Sequence, residues 1–136
     1  KLGDYTKALE YSEIAILKAR NFYNKDYDPD IGTLFSNFAY KYLSRYNINY
    51  RTNPQDTISL SYDLNKGIYY QQEAIKCFLN HPNLIDPIED VRQADLYGID
   101  LKWRCIKSYR DITLSYAHKY LFLGINTYKL LIFMLL

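Results

Sequence analysis

Cysteine, glycine, proline and histidine are all scarce in this chain of 136 residues, which contains two, five, four and two of them respectively. Cys77 and Cys105 do not form a C-x-x-C pair, so they indicate ordinary burial in a reducing compartment rather than a disulfide framework. The scattered glycines do not form a phosphate-binding loop. His81 and His118 have no metal-binding spacing, and we expect His81 to serve a turn beside Pro82. We therefore expect no metal site and no cofactor.

The chain also lacks a strong charge bias and a secretory pattern at its start. A net charge of +2 and a pI of about 8.4 are too small to indicate nucleic acid or an acidic membrane surface as a partner. The hydrophobic fraction of 49% is typical of a globular protein. We expect one cytoplasmic domain, or a fragment of a longer array, that binds neither nucleic acid nor membrane.

Catalytic patterns are missing as well. Serine, aspartate and histidine occur without a nucleophile elbow. The adjacent carboxylates Glu89 and Asp90 are explained by the helix dipole, which favours acidic side chains in a first turn. We therefore predict that the protein is not an enzyme.

Amphipathic helical patterns are what the sequence does contain, beginning with the stretch Lys1–Tyr23. Leu9 and Ile16 lie seven positions apart and so share one helix face. The small residues Ala8 and Ala15 have the same spacing, which would let a neighbouring helix approach closely. A helix of this kind cannot bury its apolar stripe alone, so we expect partner helices stacked beside it.

Asp28 followed by Pro29 predicts the start of a second helix, since aspartate caps a helix and proline suits its first position. Apolar residues then recur at intervals of three and four from Asp30 to about Arg45, the period of a helix. The polar and aromatic stretch Tyr46–Asn53 has no such period and predicts a long loop.

A third helix is predicted from Pro54, capped by Asn53, to about Leu79. Gly67 weakens its middle by about 1 kcal/mol relative to alanine, so a division into two helices near Asn65 stays open. We expect its inward face to consist of apolar and aromatic residues: Ile58, Tyr62, Tyr69, Ala74, Ile75, Phe78 and Leu79.

The pair Asp86-Pro87 opens the next helix, and Gly98 marks a kink or a break. A last helix is predicted over about Tyr109–Leu123, with His118 solvated on its polar side. The sequence ends in a wholly apolar run, 130–136, which is too short for a membrane span, and a stretch taken back to Tyr120 is interrupted by Asn126 and Lys129. We expect a packed final helix there, with a membrane anchor or a lost repeat as alternatives.

Seven residues of the opening stretch follow a G-D-Y-x-x-A-L-x-Y-x-x-x-A pattern: Gly3, Asp4, Tyr5, Ala8, Leu9, Tyr11 and Ala15. This pattern resembles the second helix of a tetratricopeptide repeat. The order that follows, through Pro29-Asp30 to Asn37 and Ala39, is similar to the longer repeat of the kinesin-light-chain type. The resemblance implies an all-α fold in which antiparallel helix pairs stack as a short, irregular solenoid.

The resemblance also divides the chain into four segments of one repeat domain, which we expect to be a fragment of a longer array. Residues 1–23 form the second helix of a repeat and residues 29–80 an irregular repeat. Residues 87–124 form a helical pair, and residues 125–136 are an apolar tail.

A non-catalytic scaffold that binds a protein or peptide in its inner helical groove is the function that the resemblance implies. In peptide-binding members of the family, an asparagine in an L-x-N-L-A-like run bonds the ligand backbone, and Asn37 occupies that position here. Thr33, Ser36 and Tyr40 would be its neighbours in the groove. The competing interpretation is that Asn37 is a solvated helix residue.

Two other functions stay open. In one, the chain is a helical regulatory or structural module of a larger enzyme or effector. In the other, tyrosines such as those of Tyr40-Lys41-Tyr42 stack on single-stranded nucleic acid with basic residues between them. The simpler explanation of that pattern is that Tyr42 packs inward while Lys41 and Arg45 face solvent.

Overall fold

Five α-helices form the part of the protein that the computed structural model describes, residues 2–23 and 27–122. They are α1 (Leu2–Tyr23), α2 (Pro29–Thr52), α3 (Thr57–Leu79), α4 (Pro87–Leu96) and α5 (Ile99–Phe122). Neither described range contains a strand. The all-α prediction is therefore confirmed, and the helices pack against one another in a repeat-like arrangement.

Aspartates begin α2 and α4, as the sequence predicts. The Asp28 carboxylate accepts a hydrogen bond of 2.9 Å from the Asp30 amide, and Pro29 is the first residue of the helix. The Asp86 carboxylate accepts a bond of 2.8 Å from the Glu89 amide. Each carboxylate satisfies an amide that has no partner inside its helix, so both starts are fixed by local sequence.

The predicted loop at Tyr46–Asn53 is wrong, because α2 continues to Thr52. Tyr46 is only 2% exposed and packs against Leu60 and Leu64 of α3. Most helical stability in proteins comes from tertiary packing rather than from local propensity. Burial of this tyrosine therefore extends the helix through a stretch that has no apolar period of its own.

α3 begins at Thr57 rather than at Pro54, because its N-cap is Asp56 and not Asn53. The Asp56 carboxylate accepts a hydrogen bond of 3.2 Å from the Ser59 amide. The predicted Asn53-Pro54 start is therefore wrong. The proline lies instead in the short turn between α2 and α3.

α3 is continuous through Gly67, so the division near Asn65 does not occur. A Cβ atom at Gly67 would lie 2.8 Å from a methyl carbon of Leu43 in α2. The glycine therefore lets the two helices approach closely. That contact offsets the low helix propensity of glycine.

The inward face of α3 agrees with the prediction only in its second half. Ala74, Ile75, Phe78 and Leu79 are buried, whereas three predicted residues are exposed: Ile58, Tyr62 and Tyr69. The first half buries a different set instead, namely Leu60, Asp63, Leu64 and Ile68. The prediction failed there because the buried stripe includes the charged Asp63, which a search for apolar periods passes over.

α2 and α3 form an antiparallel pair. Near the start of α2, Gly32 faces Phe78 close to the end of α3. Further along α2, Arg45 contacts Asp63 in the early part of α3, with a distance of 2.6 Å between Nη2 and Oδ1. Residue numbers therefore rise along one helix as they fall along the other, as in the helix pairs of a solenoid.

α3 and α5 are antiparallel by the same criterion. The Arg104 guanidinium lies 6.0 Å from the centre of the Phe78 ring. About two turns further along α5, Asp111 accepts a hydrogen bond of 3.3 Å from the Gln71 side chain. Because α2 and α5 are each antiparallel to α3, they run parallel to one another.

Two larger apolar clusters meet at α3, in addition to the one around Tyr46. The first joins α1, α2 and α3 and contains Leu9, Ile16, Ile31, Phe35, Phe38, Tyr42, Ala74, Cys77 and Phe78. The second joins α3, α4 and α5 and contains Ile68, Ile75, Leu79, Ala94, Cys105 and Ile112. α3 therefore contributes one face to each cluster and holds the two halves of the domain together.

Cys77 and Cys105 are buried thiols rather than disulfide partners, as the sequence predicts. Burial raises the pKa of Cys77 to about 11 and the pKa of Cys105 to about 12. Both groups therefore stay protonated at neutral pH. They pack as small apolar side chains within the two clusters.

The turn before α4 confirms the turn role of His81. Its Nδ1 atom accepts a hydrogen bond of 3.0 Å from the Asn83 amide. Asn80 ends α3 with a φ of 51°, a left-handed conformation that asparagine tolerates better than most residues. These two features redirect the chain toward the start of α4.

Gly98 separates α4 from α5, so the predicted break is confirmed. Its φ of 128° lies in a region that residues with side chains rarely adopt. α5 then begins at Ile99, well before the predicted Tyr109. The Tyr109 hydroxyl donates a hydrogen bond to the buried Asp90 carboxylate and so joins α5 to α4.

The predicted apolar tail, 125–136, lies outside the described residues, as does Leu123 at the end of the predicted last helix. Within the two described ranges, no helix combines the length and the apolar character needed to cross a membrane.

Candidate functional site

α2 and α5 form the walls of a groove, and α3 forms its floor. At one end the Arg104 Nη1 atom donates a hydrogen bond of 3.2 Å to the Thr33 hydroxyl. At the other end the Tyr46 hydroxyl lies 3.1 Å from Nδ1 of His118. Each wall contributes a row of side chains, and we name the space between the rows the α2–α5 groove.

Residues spaced by seven positions form the two rows. They are Thr33, Tyr40 and Asn47 on α2, and Arg104, Asp111 and His118 on α5. Residues seven apart share one face of a helix because they are separated by nearly two full turns. The rows therefore run along the groove for about four turns of each helix.

A pocket of about 240 Å³ lies in the middle of the α2–α5 groove. Its lining combines aromatic, apolar and polar side chains from both walls and the floor: Tyr40, Leu43, Ser44, Tyr46, Asn47, Leu64, Asp111, Leu114, Ser115 and His118. Tyr40 is 68% exposed, so most of this side chain is accessible to a ligand. Exposed aromatic side chains with a polar end are common anchors in protein recognition.

The sequence-predicted site residues all lie on α2, but they are not equally placed. Tyr40 lines the pocket, and the exposed Thr33 bonds Arg104 at the end of the groove. Ser36 is half-buried and Asn37 is exposed on the turn between them, and neither lines the pocket. The backbone-binding role of Asn37 stays a prediction.

The sequence-predicted site contained no residue of the α5 wall. Asp111 and Ser115 line the pocket, and so does His118, which was predicted from the helical pattern to be solvated. That prediction is wrong, because His118 is half-buried and burial lowers its pKa. The seven-residue spacing of Arg104, Asp111 and His118 was a usable signal, but it indicates a site only once α2 is known to lie opposite.

The Asp111 carboxylate is held in place from the floor of the groove. Its Oδ2 atom accepts a hydrogen bond of 3.3 Å from Nε2 of Gln71, a side chain that is only 1% exposed. The amide of Gln71 must present its nitrogen to this carboxylate, so its oxygen is turned away. Among the described residues that oxygen has no hydrogen-bond partner.

Two other tyrosines of α2 belong to the core. Tyr42 and Tyr46 are buried, which removes them from any stacking surface. Lys41 is half-buried and donates a hydrogen bond to Ser12 of α1. Arg45 forms two hydrogen bonds with Asp63, and these bonds raise its pKa. Tyr42 packs inward as expected, but the two cations hold helices together instead of facing solvent.

A larger pocket, of about 420 Å³, lies on another side of α5. Tyr109, Tyr116 and Tyr120 line it together with the turn that precedes α4, and none of the sequence-predicted site residues reaches it. No group of three or more histidine, cysteine, aspartate or glutamate side chains suited to a metal ion occurs in residues 2–23 and 27–122.

Comparison of the chain with family models, with curated proteins and with solved structures gives no match.

Proposed function

We propose that the protein is a non-catalytic scaffold that binds an extended peptide or protein segment in the α2–α5 groove. The observation that supports this proposal is the meeting of two polar rows across one pocket, with the exposed ring of Tyr40 at its edge. A groove between parallel helices offers a straight channel. An extended segment suits such a channel because its side chains and its backbone can both reach the walls.

Polar groups along the channel suit backbone recognition. Asn47 and Ser44 line the pocket, and Asn37 lies exposed one turn before Tyr40. Amide and hydroxyl side chains both donate and accept hydrogen bonds, as a peptide backbone does. This part of the proposal depends on side-chain chemistry and leaves the sequence of the ligand open.

The test is selection of linear peptides from a displayed library on the full chain, followed by fluorescence anisotropy with the selected peptides. We expect Tyr40→Ala to weaken binding about tenfold or more, as loss of an aromatic anchor does. We expect Asn37→Ala to weaken it a few-fold, as loss of one hydrogen bond does. Circular dichroism would check that each variant keeps its helix content.

Matched controls lie outside the groove. Tyr11→Ala removes a tyrosine of α1 that is 71% exposed, and Asn65→Ala removes an exposed asparagine of α3. Both control variants should bind like the unchanged chain. Failure to select any peptide, or equal losses for Tyr40→Ala and Tyr11→Ala, would overturn the proposal and favour a module that only packs within a larger protein.

A further inference from the structure

The α5 wall carries two cationic side chains at the end of the α2–α5 groove where α2 begins, and the exposed Asp30 and Asp100 lie one turn before Thr33 and Arg104. Arg104 reaches across from α5 to the Thr33 hydroxyl, which places its guanidinium over the end of the groove where α2 begins. Lys107 follows one turn later on α5 and is exposed. Residues three apart on a helix are surface neighbours. Two cationic side chains therefore lie together at this end of the α5 wall.

A single carboxylate lies further along the same wall. Asp111 lines the pocket, and its side chain is 18% exposed. Besides the bond from Gln71, its Oδ1 atom lies 3.4 Å from Nη2 of Arg110, whose side chain is 63% exposed. An exposed pair of this length contributes little, and an ionised carboxylate accepts up to about four hydrogen bonds. Asp111 can therefore accept a further cationic donor from a ligand.

Tyr40 strengthens the preference for a cation at this position. Its exposed ring lines the same pocket as Asp111. The face of an aromatic ring attracts an ammonium or guanidinium group, and the attraction grows when the cation loses water. A basic side chain that enters the pocket would therefore find a carboxylate and an aromatic ring together.

The spacing of the two charged positions sets a length scale on the ligand. Arg104 and Asp111 are seven residues apart, which corresponds to about 10 Å along the helix axis. An extended peptide in the polyproline II conformation rises about 3.1 Å per residue with three residues per turn, so its side chains three residues apart point to the same side and lie about 9 Å apart. A segment that lies along the groove would therefore reach both positions with side chains about three residues apart.

We propose that the ligand is an extended peptide segment in the polyproline II conformation with one acidic and one basic side chain three residues apart, the acidic one on Arg104 and Lys107 and the basic one on Asp111 beside Tyr40. This inference rests on the proposed function of the groove. It adds the charge pattern of the partner. A single-stranded nucleic acid fits less well, because its uniform negative charge would meet Asp111 in the middle of the channel.

The experiment uses an array of otherwise uncharged peptides with one glutamate and one lysine. Their separation runs from one to five residues in both orders, and a glutamine replaces either charge in the reference peptides. We expect the tightest binding at a separation of three. Affinity should fall about tenfold at separations of one and five, and it should fall when salt is raised, because solvent-exposed charges are screened.

Two variants that each remove one charge identify which wall residue binds which charge of the peptide. Asp111→Asn should weaken binding of the glutamate–lysine peptide about tenfold but leave the glutamate–glutamine peptide unchanged. Arg104→Gln should weaken binding of the glutamate–lysine peptide but leave binding of the glutamine–lysine peptide unchanged. Arg92→Gln, which alters an exposed arginine of α4 outside the groove, is the matched control.

The outcomes separate this inference from the function that it deepens. If peptides bind but their affinity ignores the charge separation, or purely acidic peptides bind best, the charge pattern is wrong while the peptide-binding function stands. If no peptide binds at all, both fail. Tighter binding of a labelled oligothymidine, lost in Arg104→Gln and improved in Asp111→Asn, would replace the inference with nucleic-acid binding.

Discussion

The tyrosines of this protein have different roles, and each role depends on the surroundings of the ring. Tyr46 of α2 is only 2% exposed where it packs against α3, and burial raises its pKa to about 12. Its hydroxyl finds a partner in His118 across the groove, which removes the cost of burying a polar group alone. Tyr40, six positions earlier, presents its ring to the pocket instead.

His118 makes the stability of the protein depend on pH at the residue scale. Burial lowers the pKa of this imidazole in the folded state below its ordinary value of 6.5. The unfolded chain therefore binds more protons than the folded chain as the pH falls below about 6.5. The resulting stability is fully present above the unfolded pKa and is lost as the pH falls through the folded pKa.

The measurement is the urea midpoint from pH 8 to pH 5 for the unchanged chain and for His118→Gln, which cannot titrate. We expect the unchanged chain to lose more stability over this interval than the variant loses. Other titrating groups are common to both chains, so the difference between the two slopes reports His118. Identical slopes would contradict the assignment.

At the scale of the helix, the most extensive packing contact is the one between α2 and α3. The contact includes Gly32 and Gly67, where the backbones come close, and the charged pair of Arg45 with Asp63. The Asp63 side chain is 2% exposed, so its carboxylate depends on the two bonds from Arg45. A buried charge without its partner is costly, whereas an apolar pair in the same place is often tolerated.

Arg45→Met should therefore lower the free energy of unfolding by about 3–5 kcal/mol, because it leaves the Asp63 carboxylate buried without a cation. The double variant Arg45→Met with Asp63→Leu should recover most of that loss. Denaturant unfolding followed by circular dichroism measures both. Arg92→Met, which removes an exposed arginine paired with Glu89, should leave the midpoint almost unchanged. An equally large loss in the double variant would show that the charge itself is not the cause.

At the scale of the whole molecule, we expect α3 to determine how the described helices unfold. It packs against α2 on one side and α5 on the other and supplies residues to the two larger apolar clusters and to the one around Tyr46. In stacked helical arrays each unit contacts only its neighbours, so a shared central helix is the route by which the two halves are coupled. A substitution on its buried face should therefore lower the stability of both halves.

Ile75→Ala tests this coupling, because Ile75 is fully buried in the cluster of α3, α4 and α5. We expect a loss of about 2–5 kcal/mol of stability, the usual effect of removing such a side chain from a core. Trp103 in α5 is the single tryptophan of the chain, so its fluorescence reports that helix. Fluorescence and circular dichroism should shift together in urea.

The control for this experiment is Ile58→Ala, which truncates an isoleucine of α3 that is 84% exposed. It should leave both unfolding curves in place. A shift in circular dichroism without a shift in Trp103 fluorescence would mean that α5 unfolds independently of α3.

Local chemistry made the starts of α2 and α4 and the break at Gly98 predictable, but not the starts of α3 and α5. Aspartate before proline fixed two helix starts, and Gly98 fixed the break between α4 and α5. The continuation of α2 past Tyr46 was not predictable, since it depends on Leu60 and Leu64 of another helix. The same limit applies to α3, whose inward stripe includes a charged residue that only a partner on α2 can satisfy.

The sequence by itself determined that the protein is all-helical, because apolar periods and helix caps are properties of short segments. It also placed Tyr40 and its neighbours on one helix face. Only the tertiary structure decided that Arg104, Asp111 and His118 of α5 lie across from that face. The residues that meet across the groove are about 70 positions apart in the sequence. Their meeting follows from the packing of α2 and α5 on α3, and periodicity within one helix cannot encode it.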